Sequence, residues 1–203
     1  MKKCLVFLFV LFCFSPLFAF MEKADIEYVK SHGLFSGELE GNFVQTKGMT
    51  GSDRTFISRG RVIISPENGI AWFYEKPYKS ILVVAEDHIT QKIRDNEPKR
   101  LNVSDNEIYR QIASSIECVF FGDFETMFNV FNGNFKKDEN IWQISLSPKD
   151  EMLSVFISSI VIKGKDEIKS LMLTENTGDT ILYEFENLKQ RTGNNEEKAV
   201  WSI

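Results

Sequence analysis

At 203 residues the chain is long enough for one domain with a sizeable core, and its net charge of −5 is mildly acidic. It contains no basic run, which argues against nucleic acid or an anionic membrane surface as a partner. Only three cysteines are present, Cys4, Cys13 and Cys118, too few for a disulfide framework.

The N-terminus reads MKKCLVFLFVLFCFSPLFAF. Lys2 and Lys3 precede an uninterrupted apolar stretch over 4–14, Ser15 and Pro16 break it, and Ala19 supplies a small residue for cleavage. This is the three-part layout of a secretory signal, too short to span a bilayer as a mature helix. The expectation is a cleaved signal over 1–19 and a single mature domain over 20–203, with the charge falling to −7 as Lys2 and Lys3 are lost. Lipidation at Cys13 is the competing reading, but Leu11-Phe12 fits poorly where small residues are wanted. Cys118 is then the sole mature cysteine, and its apolar surroundings predict a buried small hydrophobe.

Ile26, Val29 and Leu34 recur at helical spacing, with Gly33 near the end, and predict a helix over 22–34. A strand follows over 41–48, with Val44 on one face and Phe43 and Gln45 on the other; the glycine-rich turn GMTGSDR comes next. The rest reads as a meander, with strands predicted near 55–65, 69–76, 79–86, 88–94, 126–137, 140–147, 152–162, 168–175 and 179–189. Between its halves, Ile108, Ile112 and Ile116 form an amphipathic stripe that predicts a helix over 104–121. Alternation is clean in the second half: Trp142, Ile144 and Leu146 share one face, and Ile181, Tyr183 and Phe185 repeat the pattern. The fold class is therefore mainly β with some α, a long curved antiparallel sheet whose dry face receives the helices.

No residue constellation supports catalysis. His32 and His88 are far apart, no cluster has metal-ligand spacing, and nucleophile-elbow, phosphate-loop and dinucleotide motifs are absent. No cofactor or metal is expected, and the chain is not expected to be an enzyme. The informative stretches are apolar. Ile70-Ala71-Trp72-Phe73-Tyr74 and Ile81-Leu82-Val83-Val84 lack a polar face altogether. A meander rolled into a barrel or half-barrel turns alternate side chains inward, and a large enough interior holds a ligand.

The order GNFVQTK, a strand ending in a Ser-Pro turn, WFYEKPYKSILVV, IWQISLSPK and IKSLMLTENTGDTILYEFENL resembles the periplasmic outer-membrane lipoprotein carrier family (LolA-like) over about 41–189. The resemblance implies an incomplete barrel of about 10–11 strands over a hydrophobic cavity, lidded by two or three helices. It also implies an acylated lipoprotein as cargo, an inner-membrane ABC-type release complex as donor, and an outer-membrane receptor or acceptor membrane as recipient. Related lipids or glycolipids are the alternative cargo. The family usually places an arginine just before the turn proline, where it holds the lid shut. Here Ser65 precedes Pro66, and Arg61, four residues earlier on the same strand face, is the alternative lid contact.

The predicted lipid-binding residues are Phe43, Ile63, Ile70, Trp72, Tyr74, Trp142, Ile144, Leu146, Tyr183 and Phe185, assigned by strand parity. Ile108, Ile112 and Ile116 are the predicted lid residues, with Arg61 and Ser65 as lid contacts. Ala71 and Phe73 are expected on the convex side. The carrier is expected to be a periplasmic monomer. Two readings remain beside it: a sensor of mislocalised lipoproteins, which needs a partner-contact segment, and an outer-membrane receptor of the same fold, which needs lipidation at Cys13.

Overall fold

The computed structural model describes residues 23–32, 37–102, 117, 118, 120–191, 200, 201 and 203. The predicted signal over 1–19 and the stripe Ile108, Ile112 and Ile116 lie outside the described residues.

Along the chain, helix α1 (Lys23–His32) precedes six strands: β1 (Leu39–Gly48), β2 (Thr55–Ser65), β3 (Gly69–Lys76), β4 (Ser80–Val84), β5 (His88–Ile93) and β6 (Lys99–Asn102). Then come α2 (Phe124–Val130), β7 (Phe131–Asp138), β8 (Ile141–Pro148), α3 (Glu151–Ser154), β9 (Ile157–Gly164), β10 (Ile168–Glu175) and β11 (Thr180–Gln190). All eleven strands join one antiparallel sheet in the order β6-β5-β4-β3-β2-β1-β11-β10-β9-β8-β7. Two local meanders thus meet at a single long-range seam, where Phe43 of β1 pairs with Phe185 of β11. The outermost strands do not pair with each other, so the expected incomplete barrel is what the chain forms.

Turn chemistry sets the register of the first meander. In the β2–β3 hairpin the Asn68 N–H donates to the Ser65 carbonyl at 3.2 Å, and Pro66 occupies the turn position its fixed φ suits. Gly69 closes the turn at φ +93°, and a Cβ there would lie 2.1 Å from the Val84 carbonyl oxygen, so only glycine fits. The hairpin pairs Ile64 with Ile70 and Val62 with Trp72. This alignment decides which side chains face inward.

Two predicted strand boundaries are corrected, and one strand is added. Residues 126–130, read as the start of a strand over 126–137, belong to α2, and β7 begins only at Phe131. Phe124, Met127, Phe128 and Phe131 follow helical spacing, and the Asp123 carboxylate caps the helix by accepting from the Thr126 N–H at 3.1 Å. Similarly, Asp150 caps the short α3 by accepting from the Met152 N–H at 2.6 Å, so β9 starts at Ile157 and not at 152. Strand β6, Lys-Arg-Leu-Asn, carried no alternation signal because all four residues are exposed at the sheet edge. Of the predicted helix over 104–121, the described residues Glu117, Cys118, Phe120 and Phe121 are helical. Cys118 is buried, as its apolar surroundings suggested.

The main core fills the concave side. Val29 of α1, Phe124 and Met127 of α2, Leu153 of α3 and Phe120 pack there against Trp142, Ile144, Leu146, Ile160 and Ile162. A second, smaller cluster lies on the convex side, where Val200, Trp201 and Ile203 cover Ala71, Phe73, Ile81 and Val83. The Arg61 guanidinium completes this cover from the side, 4.6 Å from the centre of the Phe73 ring. The stretch 70–74 is therefore apolar on both faces because both faces are covered.

Trp142 anchors the far half of the sheet. Its indole N–H donates to the Lys165 carbonyl at 2.9 Å, and its ring lies over Gly164, its register partner. A Cβ at residue 164 would come within 2.1 Å of the ring. Gly164→Ala is expected to overpack this contact and cost about 1–3 kcal/mol, read as a lower midpoint in urea unfolding with an unchanged m-value.

Candidate functional site

Aromatic side chains concentrate where the two meanders meet. Trp72 of β3 lies edge-on to Phe43 of β1 at 5.1 Å between ring centres, and against Tyr183 of β11 at 4.6 Å. Phe120 lies edge-on to Phe185 at 5.5 Å and to Trp72 at 6.3 Å, closing the cluster from the helical side. The register makes room for these rings. Gly60 pairs with both Phe43 and Tyr74 at a β-bulge after Arg59, and a Cβ there would meet the Phe73 carbonyl oxygen at 1.9 Å.

Beside this cluster lies a partly open apolar cavity of about 160 Å³. Strands β3 and β4 contribute Trp72, Leu82 and Val84; β9, β10 and β11 contribute Ile160, Leu171, Leu173, Ile181 and Tyr183; Phe120 roofs it. At one end the lining turns polar. Gln45 Nε2 donates to the Tyr183 hydroxyl at 2.6 Å and to the Tyr74 hydroxyl at 3.3 Å, and the two hydroxyls lie 3.4 Å apart. Burial pushes both phenols above their ordinary pKa, Tyr183 furthest, so both keep their protons at neutral pH.

The residues expected at a lipid site separate into three groups. Phe43, Ile70, Trp72, Tyr74, Tyr183 and Phe185 are all on the concave side, and of these Trp72 and Tyr183 line the cavity. Trp142, Ile144 and Leu146 face the same side, but they are fully packed beneath the helices over β7–β9 and do not line the cavity. Ile63, in contrast, pairs with Ala71 and so points to the convex face, while Val62 and Ile64 take the inward positions. The parity assignment for β2 was one residue out, which is enough to reverse a strand.

Arg61 and Ser65 share that convex face. Arg61 covers Phe73, and the Ser65 hydroxyl accepts from the Asn68 side chain at 3.0 Å within its own turn. Neither is placed to hold a cover on the concave side, so both lid-contact expectations are corrected. Sequence reasoning missed Leu82, Ile160, Leu171, Leu173 and Phe120 as lining residues, although Leu82 is the register partner of Trp72 and Leu171 that of Tyr183. Gln45 was assigned to the face of Phe43, yet its polar side chain gave no reason to expect it at a cavity.

A second depression, of about 330 Å³, opens at the β4–β5 turn, where Glu86, Asp87 and His88 meet Glu117 and Trp201. Burial, reinforced by the charge of Glu86, pushes the Glu117 carboxyl up to about 7. His88 Nδ1 lies 2.5 Å from the Asp87 carboxylate, and the partnership lowers the Asp87 pKa. The buried His88 Nε2 has no partner among the described residues. Nor does any group of three or more His, Cys, Asp or Glu side chains among the described residues have a metal-binding arrangement.

The decisive comparison is with protein families. The model of the outer membrane lipoprotein carrier protein LolA matches residues 36–197. The chain belongs to the LolA family. No curated protein sequence matches it. Among solved structures, it is similar to a LolA superfamily protein from Nitrosomonas europaea, with 8% identity and a TM-score of 0.48 over 88% of this chain and 97% of that one. It is also similar to a putative outer membrane lipoprotein-sorting protein domain from Vibrio parahaemolyticus, with 13% identity and a TM-score of 0.47 over 87% and 96% of the two chains. A third similar structure is MucB, with 10% identity and a TM-score of 0.47 over 85% of this chain and 60% of that one. LolA-family proteins are periplasmic lipoprotein-binding or lipoprotein-sorting proteins, carriers rather than enzymes.

The raised Glu117 pKa carries a sign. The folded state holds its proton between the ordinary glutamate range and about 7, so folding stability falls as pH rises through that window. Glu117→Gln is expected to reduce this loss, so that melting temperatures at pH 5 and pH 8 lie closer together in the variant than in the parent.

Proposed function

We propose that the protein is a periplasmic carrier that takes the acyl chains of a lipoprotein into its concave cavity and moves them from the inner to the outer membrane. The observation that carries this reading is the apolar cavity at the β1–β11 seam, roofed by Phe120, in a chain of the lipoprotein carrier family. Transfer of acyl chain from water is worth about 0.8 kcal/mol per methylene, so a free acylated protein does not cross an aqueous compartment unaided. A cavity lined by hydrocarbon and aromatic edges supplies the missing environment. It needs no catalytic group.

Size bears on how such a carrier works. A cavity of about 150 Å³ accommodates roughly one benzene, about six carbons. The volume here, about 160 Å³, is thus an empty-state volume that a full acyl chain must enlarge. Enlargement is easiest where the cover is a helical segment rather than a paired strand, because only side-chain packing has to yield. We assign that role to the segment carrying Phe120, with Ile108, Ile112 and Ile116 as its apolar underside. Export by a signal over 1–19, loading from an inner-membrane ABC-type complex, delivery to an outer-membrane receptor or acceptor membrane, and action as a monomer complete the proposal.

Native mass spectrometry of protein purified from the exporting compartment tests it, with a bound acylated species as the expected result. Leu173 lines the cavity and is only partly buried, so Leu173→Asp places a charge in the cavity at modest cost to folding. The variant is expected to lose at least nine-tenths of the bound species while keeping the parent's far-ultraviolet circular dichroism. An undiminished acylated adduct in the folded variant places cargo elsewhere.

A further inference from the structure

The polar end of the cavity has an unbalanced hydrogen-bond inventory. Gln45 Nε2 carries two N–H donors, and its two contacts, to Tyr183 and Tyr74, use both. Between the two hydroxyls only one O–H can donate to the other across their 3.4 Å separation. One phenolic O–H is therefore left without an acceptor within the trio. On Tyr183 that O–H lies against Trp72 at the edge of the apolar cavity, where an unmet donor is costly; on Tyr74 it borders the neighbouring polar depression. Because burial raises both phenols, neither resolves the imbalance by losing its proton near neutral pH.

On the other side of the trio the surface changes character. A polar depression of about 180 Å³ is bordered by Gln45, Ser58, Tyr74, Lys76, Ser80 and Gln91. It shares Leu82 with the apolar cavity, and the trio's Tyr183 lines the cavity while its Tyr74 lines the depression. Hydrocarbon lining, hydrogen-bonding trio and polar depression thus follow one another along the concave face. That is the order of parts in an acylated amphiphile: chain, carbonyl, head.

We infer that Gln45, Tyr74 and Tyr183 form a carbonyl-recognition site, in which a phenolic O–H donates to the ester or amide carbonyl of an acyl chain seated in the cavity, with its polar head in the neighbouring depression. The inference rests on the carrier reading and names the groups that would hold the carbonyl of the acyl chain. An alkyl chain of equal length without that carbonyl leaves the donor unmet and binds less well.

The test compares methyl octanoate with 1-methoxyoctane, which matches it in length and lacks only the carbonyl. Affinities of both for the full mature protein are measured by isothermal titration calorimetry, and the readout is their ratio. The parent is expected to favour the ester, and Tyr74→Phe/Tyr183→Phe, which keeps both rings, is expected to lower the ester-to-ether ratio about fivefold or more, the worth of one hydrogen bond. Circular dichroism establishes that the double variant is folded, and the single variant Tyr74→Phe, at the half-buried position, substitutes for it if it is not. A ratio unchanged within about twofold in the folded variant overturns carbonyl recognition and leaves the carrier reading standing. Failure of the parent to bind either probe overturns both.

Discussion

Everything on the concave face depends on the pairing of β1 with β11. It is the one junction between two meanders that otherwise pair only with sequence neighbours, and it spans most of the chain. Phe43 faces Phe185 across it and Gln45 faces Tyr183, so the seam itself builds the aromatic cluster and the hydrogen-bonded trio. Closing so long a loop costs chain entropy before any contact is made. The ten-residue β1 and eleven-residue β11 pair along almost their whole length, which offsets that cost.

The same seam leaves β6 and β7 at opposite edges, and this dictates the cover. The chain leaves β6 at one edge and must re-enter the sheet at β7, at the other. Among the described residues of that connection, Phe120, Phe124 and Met127 are buried in the concave core. These described residues are anchored by side-chain packing, whereas the strands are fixed by a backbone ladder. The edges themselves carry charge, with Lys99 and Arg100 on β6 and Lys136 and Lys137 on β7, which discourages further strand addition.

The two faces of the sheet do different work. On the convex side, the contact of Ala71, Phe73 and Val83 with Val200, Trp201 and Ile203 is a closed apolar seal, reinforced by Arg61 over Phe73. On the concave side the packing is complete under α1, α2 and α3, over β7–β9, and incomplete near the seam, where the cavity remains. Arginine and serine positions that family logic would assign to a lid belong instead to the convex seal and to a turn. Among the described residues on the concave side, Phe120 packs against Trp72 and Phe185.

How much of this was legible beforehand follows from the range of each interaction. The strands of both meanders other than β6, the Ser-Pro turn, and the sharing of one face by Trp72 with Tyr74 and by Tyr183 with Phe185 are local properties of alternation and turn chemistry, and the sequence by itself determined them. Residues 126–130 misled because the aromatic-rich run around them suits either a strand or a helix, and the capping by Asp123 settles the matter only through contacts that α2 makes with the core. Ile63 misled because inward direction is set by pairing across a hairpin, and parity within one strand does not reveal its phase. Tertiary structure alone decided that Gln45 would meet two tyrosines from distant strands, that Ser65 and Arg61 would face away from the cavity, and that packing near the seam would stop short of closure. Those outcomes depend on which strands become neighbours, and pairing across the β1–β11 seam leaves no local trace in the chain.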